Sequence, residues 1–248
     1  MNRRDRAPVV LVGALGTGLL GVSLTAPPDS ARFYGLTLAT AATFTAGGLA
    51  ATPPGPPGDR RVLPPVLLGV GAFGVFYGCA LVARRIPLLR RAIAHLLRYA
   101  DRGRTPAVLL TALANGAAEE VFFRGAVYAA AGTHPVAVST GVYVLTTTAT
   151  RNPALVLAAA VMGSLFGLQR RRTGGITASL LTHLTWSTLM LHYLPPPFKT
   201  HPGRRFNPAR SPRDPPRSAR SRRDPHPRAA RSPRGRGKKY AGPKTATP

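Results

Sequence analysis

Long runs without a charged side chain constrain this chain more than anything else in its sequence. They extend over 7–28, 33–58, 62–83, 125–150, 152–169 and 173–198. A helix needs roughly 20 mostly apolar residues to cross a hydrocarbon core about 30 Å thick, and most of these runs suffice. One further stretch, 106–131, has the length but carries three charged residues. The pattern predicts spans over 8–25, 33–51, 65–83, 106–131, 135–150, 153–169 and 176–194, of which 135–150 and 153–169 are short. Irregular backbone cannot face lipid, so the expected fold is all-α, a polytopic transmembrane helical bundle of about seven spans. A competing reading of the first run is a cleaved signal peptide, since MNRRDR followed by apolar residues is the usual opening. The proline-crowded SLTAPPDSA offers it only a poor cleavage site.

The net charge of +26 is not spread over these spans. Residues 199–248 hold 12 Arg and 4 Lys against Asp214 and Asp224, a balance of +14, and no Val, Leu, Ile or Met. Such a segment cannot bury enough apolar surface to offset chain entropy, and disorder is expected for it. Its arginines and lysines would touch anionic lipid headgroups. Only Phe206 and Tyr240 could stack on bases, which argues against a dedicated nucleic-acid module. The chain divides accordingly into N-terminal spans with a basic interfacial segment (1–105), a core (106–194) and an Arg/Pro-rich tail (195–248). The Ala, Arg, Gly and Pro content suits a GC-rich genome, so a bacterial plasma membrane is the expected location.

RRIPLLRRAIAHLLRYADRGR, residues 84–104, carries seven arginines with Ile, Leu and Ala at helical spacing. That is the pattern of a helix lying on an anionic membrane face. With seven spans, placing this loop in the cytoplasm leaves the basic N-terminus and Arg170–Arg172 outside, so the positive-inside rule gives conflicting votes. Gly74 with Gly78 and Gly163 with Gly167 have the spacing that lets membrane helices approach closely. Cys79 is the only cysteine, which excludes an intrachain disulfide and a thiolate metal site.

AAEEVFFRGAVYAAA, residues 117–131, holds the only two glutamates of the chain. Fourteen uncharged residues separate Arg104 from Glu119, which puts the carboxylates roughly 20 Å along a helix. Charge at that depth faces the bundle interior, a partner or a water-filled cavity. Arg124 follows Glu120 by four positions, the favourable order for an ion pair on one helix face. Glu119 has no such local charge partner and is left free for chemistry. A carboxylate that activates water usually shares it with a group from another helix. His183 in THLTWS is the best placed imidazole, because His192 lies nearer the end of its span and His95 and His134 fall on interfacial or loop segments. The pair predicted from chemistry is therefore Glu119 with His183.

EEVFFRG, Glu119 to Gly125, resembles the EExxxR motif of the CPBP family of intramembrane proteases, which includes CAAX prenyl proteases and bacteriocin-processing (Abi) enzymes. GSLFGLQRRRTGGITASLLTHLTWS is similar to that family's path from a glycine-rich helix through a short Arg-Thr-Gly loop to a closing histidine. The resemblance covers about 106–194. It implies an endopeptidase that hydrolyses peptide bonds of membrane-associated peptides or proteins. Glu119 would be its water-activating base, Glu120 and Arg124 would hold the site together, and His183 would bind the water or a metal. Two motifs depart from the family pattern. Tyr143 stands at the aromatic position of FxxxH with Thr147 in place of its histidine, and Ser187 replaces the Asn or Asp of HxxxN/D. Threonine is a poor metal ligand and cannot replace imidazole as a base. Zinc sites generally use three protein ligands, and the sequence offers at most Glu119, Glu120 and His183 for zinc or another divalent metal; a metal-free site is the alternative.

Three functions stand open at this point. One is the endopeptidase. A second is a non-catalytic relative whose polar cavity binds a membrane partner. The third is a small transporter with buried Glu and Arg on a proton path, although inverted repeats are not evident. Prenylated CAAX proteins are characteristic of eukaryotic cells, so a bacterial member would need another peptide substrate.

Overall fold

The computed structural model describes residues 3–52, 58–102 and 105–195. The Arg/Pro-rich tail expected to be disordered lies outside them. Among the described residues all regular structure is helical: α1 (Arg3–Ser23), α2 (Ala31–Ala51), α3 (Leu63–Ala83), α4 (Pro87–Arg102), α5 (Thr105–Glu119), a π-helical stretch Glu120–Val127, α6 (Tyr128–Ala130), α7 (Pro135–Thr148), α8 (Pro153–Thr173) and α9 (Thr177–Tyr193). Each expected span overlaps a helical stretch, the 106–131 span corresponding to α5, the π-helical stretch and α6 together. The largest differences are that α1 begins before the apolar run, at Arg3, and that α8 runs on to Thr173 with Arg170–Arg172 in its last turn.

Local chemistry sets the ends. Asn152 caps α8 with its side-chain oxygen on the Ala154 and Leu155 N–H groups, at 3.0 and 3.3 Å, and Pro153 supplies a first residue that needs no hydrogen bond. Gly174, at φ 72°, ends the same helix in the left-handed conformation that glycine accepts without strain. Within α2, Thr37, Thr40 and Thr43 each donate their hydroxyl to the carbonyl four residues back. Those polar atoms are thereby satisfied inside the helix and need no water.

Two helices are long and apolar enough to cross a membrane by length and composition, Leu63–Ala83 and Pro153–Thr173. Only 11 % of the α3 window is buried in the protein. An apolar core helix of a soluble protein would be mostly covered; this one turns its side chains outward. Leu67, Val75, Val82, Leu110, Leu145, Leu157 and Val161 likewise stand exposed on four of the rods. An apolar exterior of that extent marks a surface made to meet something other than water.

α1 and α2 run antiparallel, since Gly16 meets Phe44 and Gly47 meets Val12. α2 and α5 run parallel, with Gly48 beside Val121 and Gly125 beside Thr52. The central apolar cluster gathers Val9 of α1, Ala41 and Phe44 of α2, and Ala118, Phe122, Phe123, Ala126 and Val127. Phe44 stacks on Phe122 with ring centres 5.0 Å apart and tilts against Phe123 at 5.4 Å. The first two helices thus form the wall against which the charged segment packs.

The two glycine pairs fare differently. A Cβ on Gly163 would come to 3.1 Å from Thr140 and 3.2 Å from Tyr143, and one on Gly167 to 3.0 Å from Val136, so α7 and α8 do use this pair for close approach. Gly74 and Gly78 have open space around them, and the expected close packing there is not found. The tightest backbone approach near the glutamates is at Gly48, where a Cβ would lie 2.9 Å from the Val121 carbonyl oxygen. Gly48→Ala is expected to destabilise the protein by about 1–3 kcal/mol, the range for overpacking. Gly74→Ala should be neutral or mildly stabilising. Thermal unfolding of both variants in one detergent separates the two outcomes, and equal melting temperatures would show that the α2 approach is not tight.

Candidate active site

The charged side chains sit where α5 passes into the π-helical stretch. A π segment accommodates an extra residue per turn and is frequent at functional sites. Here Glu120, Phe122, Phe123, Arg124, Gly125, Ala126 and Val127 are all buried. Glu120 and Arg124 have no exposed surface at all, while Glu119 and His183 are also buried.

Arg124 holds the centre. Its Nη1 lies 3.5 Å from Glu120 Oε1, its Nη2 donates to the Gly163 carbonyl at 3.1 Å, and its guanidinium lies 4.7 Å from the centre of the Tyr143 ring and 5.1 Å from that of Phe166. The small residue at Gly163 is what lets the guanidinium reach that carbonyl: a Cβ there would stand 3.4 Å from Nη2. The Arg124 carbonyl in turn accepts a hydrogen bond from Arg170 Nε at 3.0 Å, and Arg170 lies over the Tyr128 ring. That member of the Arg170–Arg172 cluster is therefore occupied within the bundle, whereas Arg171 and Arg172 are exposed.

His183 does enter the site from α9, but its contact differs from the expected pairing. Nδ1 lies 3.1 Å from Glu120 Oε1, so the imidazole N–H donates to Glu120 and not to Glu119. The ring stacks on Phe166 at 4.8 Å, and its other nitrogen faces Gly116, where a Cβ would be only 3.3 Å away. Glu120 consequently has two cationic or donor partners on one oxygen. The pairing differs because the π stretch turns Glu120 toward α9 and leaves Glu119 facing α7.

Glu119 is also better partnered than its sequence context suggests. Asn115 Nδ2, one helical turn earlier, donates to Oε1 at 2.8 Å, and the Tyr143 hydroxyl donates to Oε2 at 2.9 Å. Asn115 was missed in the sequence, although it is the one amide in TALANGAAEE and stands at i−4 from Glu119. Thr147 is buried a turn beyond Tyr143 and donates its hydroxyl to the Tyr143 carbonyl at 2.8 Å, so it is turned back on its own helix. Ser187 lies half-buried on α9, a turn after His183. Asn115 Oδ1 and Glu120 Oε2 are buried with no hydrogen-bond partner in the protein, as is Trp186 Nε1, whose ring centre lies 6.1 Å from that of His183.

The donor set does not fit a metal. Among the described residues no three His, Cys, Asp or Glu side chains are gathered as a metal ion requires. Glu119 is engaged by Asn115 and Tyr143, and Thr147 stands where a second imidazole would be. The chemistry available is that of a hydrogen-bonded carboxylate beside a neutralised Glu120, Arg124 and His183 cluster.

No curated protein and no solved structure matches the chain. A family model described as type II CAAX prenyl endopeptidase Rce1-like matches residues 102–189. That interval begins at the last residue of α4 and contains Glu119, Glu120, Arg124, Tyr143 and His183. Across it, 88 of the 248 residues, the chain is similar to the type II CAAX prenyl endopeptidase Rce1-like family.

Proposed function

We propose that this protein is an intramembrane endopeptidase in which Glu119 activates water for attack on a peptide bond of a membrane-associated peptide or protein. The observation that carries the reading is the division of labour between adjacent carboxylates. Glu120 is tied to Arg124 and His183, whereas Glu119 is oriented by two neutral donors and keeps a lone pair on each oxygen. In the first step water oxygen bonds to the scissile carbonyl carbon and its proton passes to Glu119. In the second the carbonyl re-forms as the C–N bond breaks, and the Glu119 proton goes to the leaving nitrogen, giving a carboxylic acid and an amine. Tyr143 and Asn115 fix the carboxylate, and the unpaired Asn115 Oδ1, Glu120 Oε2 and Trp186 Nε1 supply polar contacts for water and a peptide group. No step is routed through a metal.

The same reading places the protein in the membrane seven times, through α1, α2, α3, α5 with its π continuation, α7, α8 and α9, with α4 along the interface of a bacterial plasma membrane. His183 lies about 9 Å into α9 from its first residue. The site is thus nearer the end of the bundle that holds the α8–α9 turn, within reach of a substrate entering from that face. Turnover of a mixed peptide library by the detergent-solubilised protein, with and without chelator, tests the proposal. Cleavage that survives chelation supports it. A folded protein inert across lipids and pH would instead favour a partner-binding relative, with Thr147 and Ser187 marking lost chemistry.

A further inference from the structure

At the opposite end of the bundle, α4 faces a half-open groove of about 490 Å³. It is walled by the α1–α2 turn (Leu24 to Pro28), by Ala92, His95, Arg98 and Tyr99 of α4, and by the α7–α8 turn and first residue of α8 (Thr150 to Pro153). Among the described residues its charged lining is Arg98 and Arg151, with no carboxylate. Both arginines are exposed, and neither forms an ion pair among the described residues. Burial and the neighbouring Arg98 hold His95 below the usual histidine range, so at neutral pH the positive charge of the groove comes from the two guanidinium groups.

The walls are pinned to one another. The Tyr99 hydroxyl lies 2.7 and 2.8 Å from the Leu24 and Ala26 carbonyl oxygens, between which it shares its proton. Asn152 Nδ2 donates to the Ala92 carbonyl at 2.9 Å while Asn152 Oδ1 caps α8, whose positive end therefore also faces the groove. Arg151 is held at φ 53°, a conformation uncommon for a residue other than glycine, asparagine or aspartate and one that recurs at ligand clamps. Exposed Val22 and Leu157 stand a turn away on the span side.

We infer that this groove binds the phosphate of an anionic glycerophospholipid, with Arg98 and Arg151 on the phosphate oxygens and the acyl chains lying along Val22 and Leu157. An unattached phosphate would satisfy the arginines but would leave those apolar neighbours unused. The inference rests on the reading that the α4 end of the bundle meets the headgroup layer.

Extraction with alkaline carbonate comes first: release of the native chain from membranes would defeat the membrane reading itself. The retained full chain, in neutral detergent, is then titrated with short-chain phosphatidylglycerol, phosphatidylcholine and inorganic phosphate. Phosphatidylglycerol should bind at least about tenfold more tightly than either of the others, because phosphatidylcholine sets a choline cation beside the two guanidinium groups and inorganic phosphate brings no acyl chains. Arg98→Gln with Arg151→Gly should abolish that preference; glycine accepts the φ of position 151, so the loss reports charge and not strain. Arg98→Glu alone repeats the test with the turn untouched. Arg90→Gln with Arg91→Gln, exposed on α4 outside the groove, should change the affinity by less than about threefold. Equal weakening by both double variants would show diffuse attraction and overturn the site. Inorganic phosphate binding as tightly as the lipid would overturn the lipid assignment.

Discussion

Replacing Arg124 by alanine is expected to destabilise the protein by about 3–5 kcal/mol, the range for removing one partner of a buried ion pair. The magnitude follows from what would be left behind. Glu120 has no exposed surface, its Oε1 would keep only His183, and its Oε2 already lacks a partner in the protein. The Gly163 carbonyl would lose its donor as well, opening the contact between the charged segment and α8. Arg124→Lys should recover only part of this, since an ammonium cannot reach both Glu120 and Gly163 in the fork geometry of a guanidinium. Thermal unfolding in a fixed detergent, read together with the yield of monodisperse protein, checks it. An Arg124→Ala protein that melts within a degree or two of the native one would show that the buried pair does not lock these helices.

Glu119→Gln should behave in the opposite manner, leaving the fold intact and removing turnover. Glutamine has nearly the same shape, and its carbonyl oxygen can still accept from Asn115 or Tyr143, so the expected change in stability is within about 1 kcal/mol. The amide cannot take a proton from water. The loss of general-base catalysis is expected to lower kcat by about 10²–10⁴-fold, measured on the best peptide from the library. Tyr143→Phe serves as the companion variant, because it deletes the hydroxyl on Glu119 Oε2 and keeps the ring against Arg124. It should reduce kcat by less than the loss of the carboxylate itself. Undiminished cleavage by Glu119→Gln would move the base elsewhere, with Glu120 the remaining carboxylate at this depth.

Much of the helical layout was legible in the sequence because charge is excluded from helix interiors and concentrated at their ends. The amphipathic stretch around Arg90, Ile93 and Leu97 was readable for the same reason, and α4 buries Ile93 and Leu97 while leaving Arg90 and Arg91 exposed. The ion pair of Glu120 with Arg124 followed from spacing alone. What spacing could not supply was the partner of His183. That depends on the phase of the charged segment, and nothing in EVFFRGAV distinguishes a π-helical path from an α-helical one. The free space around Gly74 and Gly78 was equally hidden, since small residues at that interval are needed for close approach but do not enforce it.

The π stretch has a consequence for how one rod can serve several neighbours. An unbroken α-helix keeps one phase along its length, so residues a turn apart share a face while adjacent residues point about 100° apart. A slip of phase in the middle gives the rod two seams. Ahead of it, Gly116 makes room for His183 of α9; within it, Gly125 meets Thr52 at the end of α2 and Arg124 reaches α8. At the slip itself, Glu119 answers to Tyr143 of α7 and Glu120 to His183 of α9. Two identical side chains, neighbours in the chain, are thereby wired to different helices, so a shift of α7 against α9 would retune one carboxylate without disturbing the other.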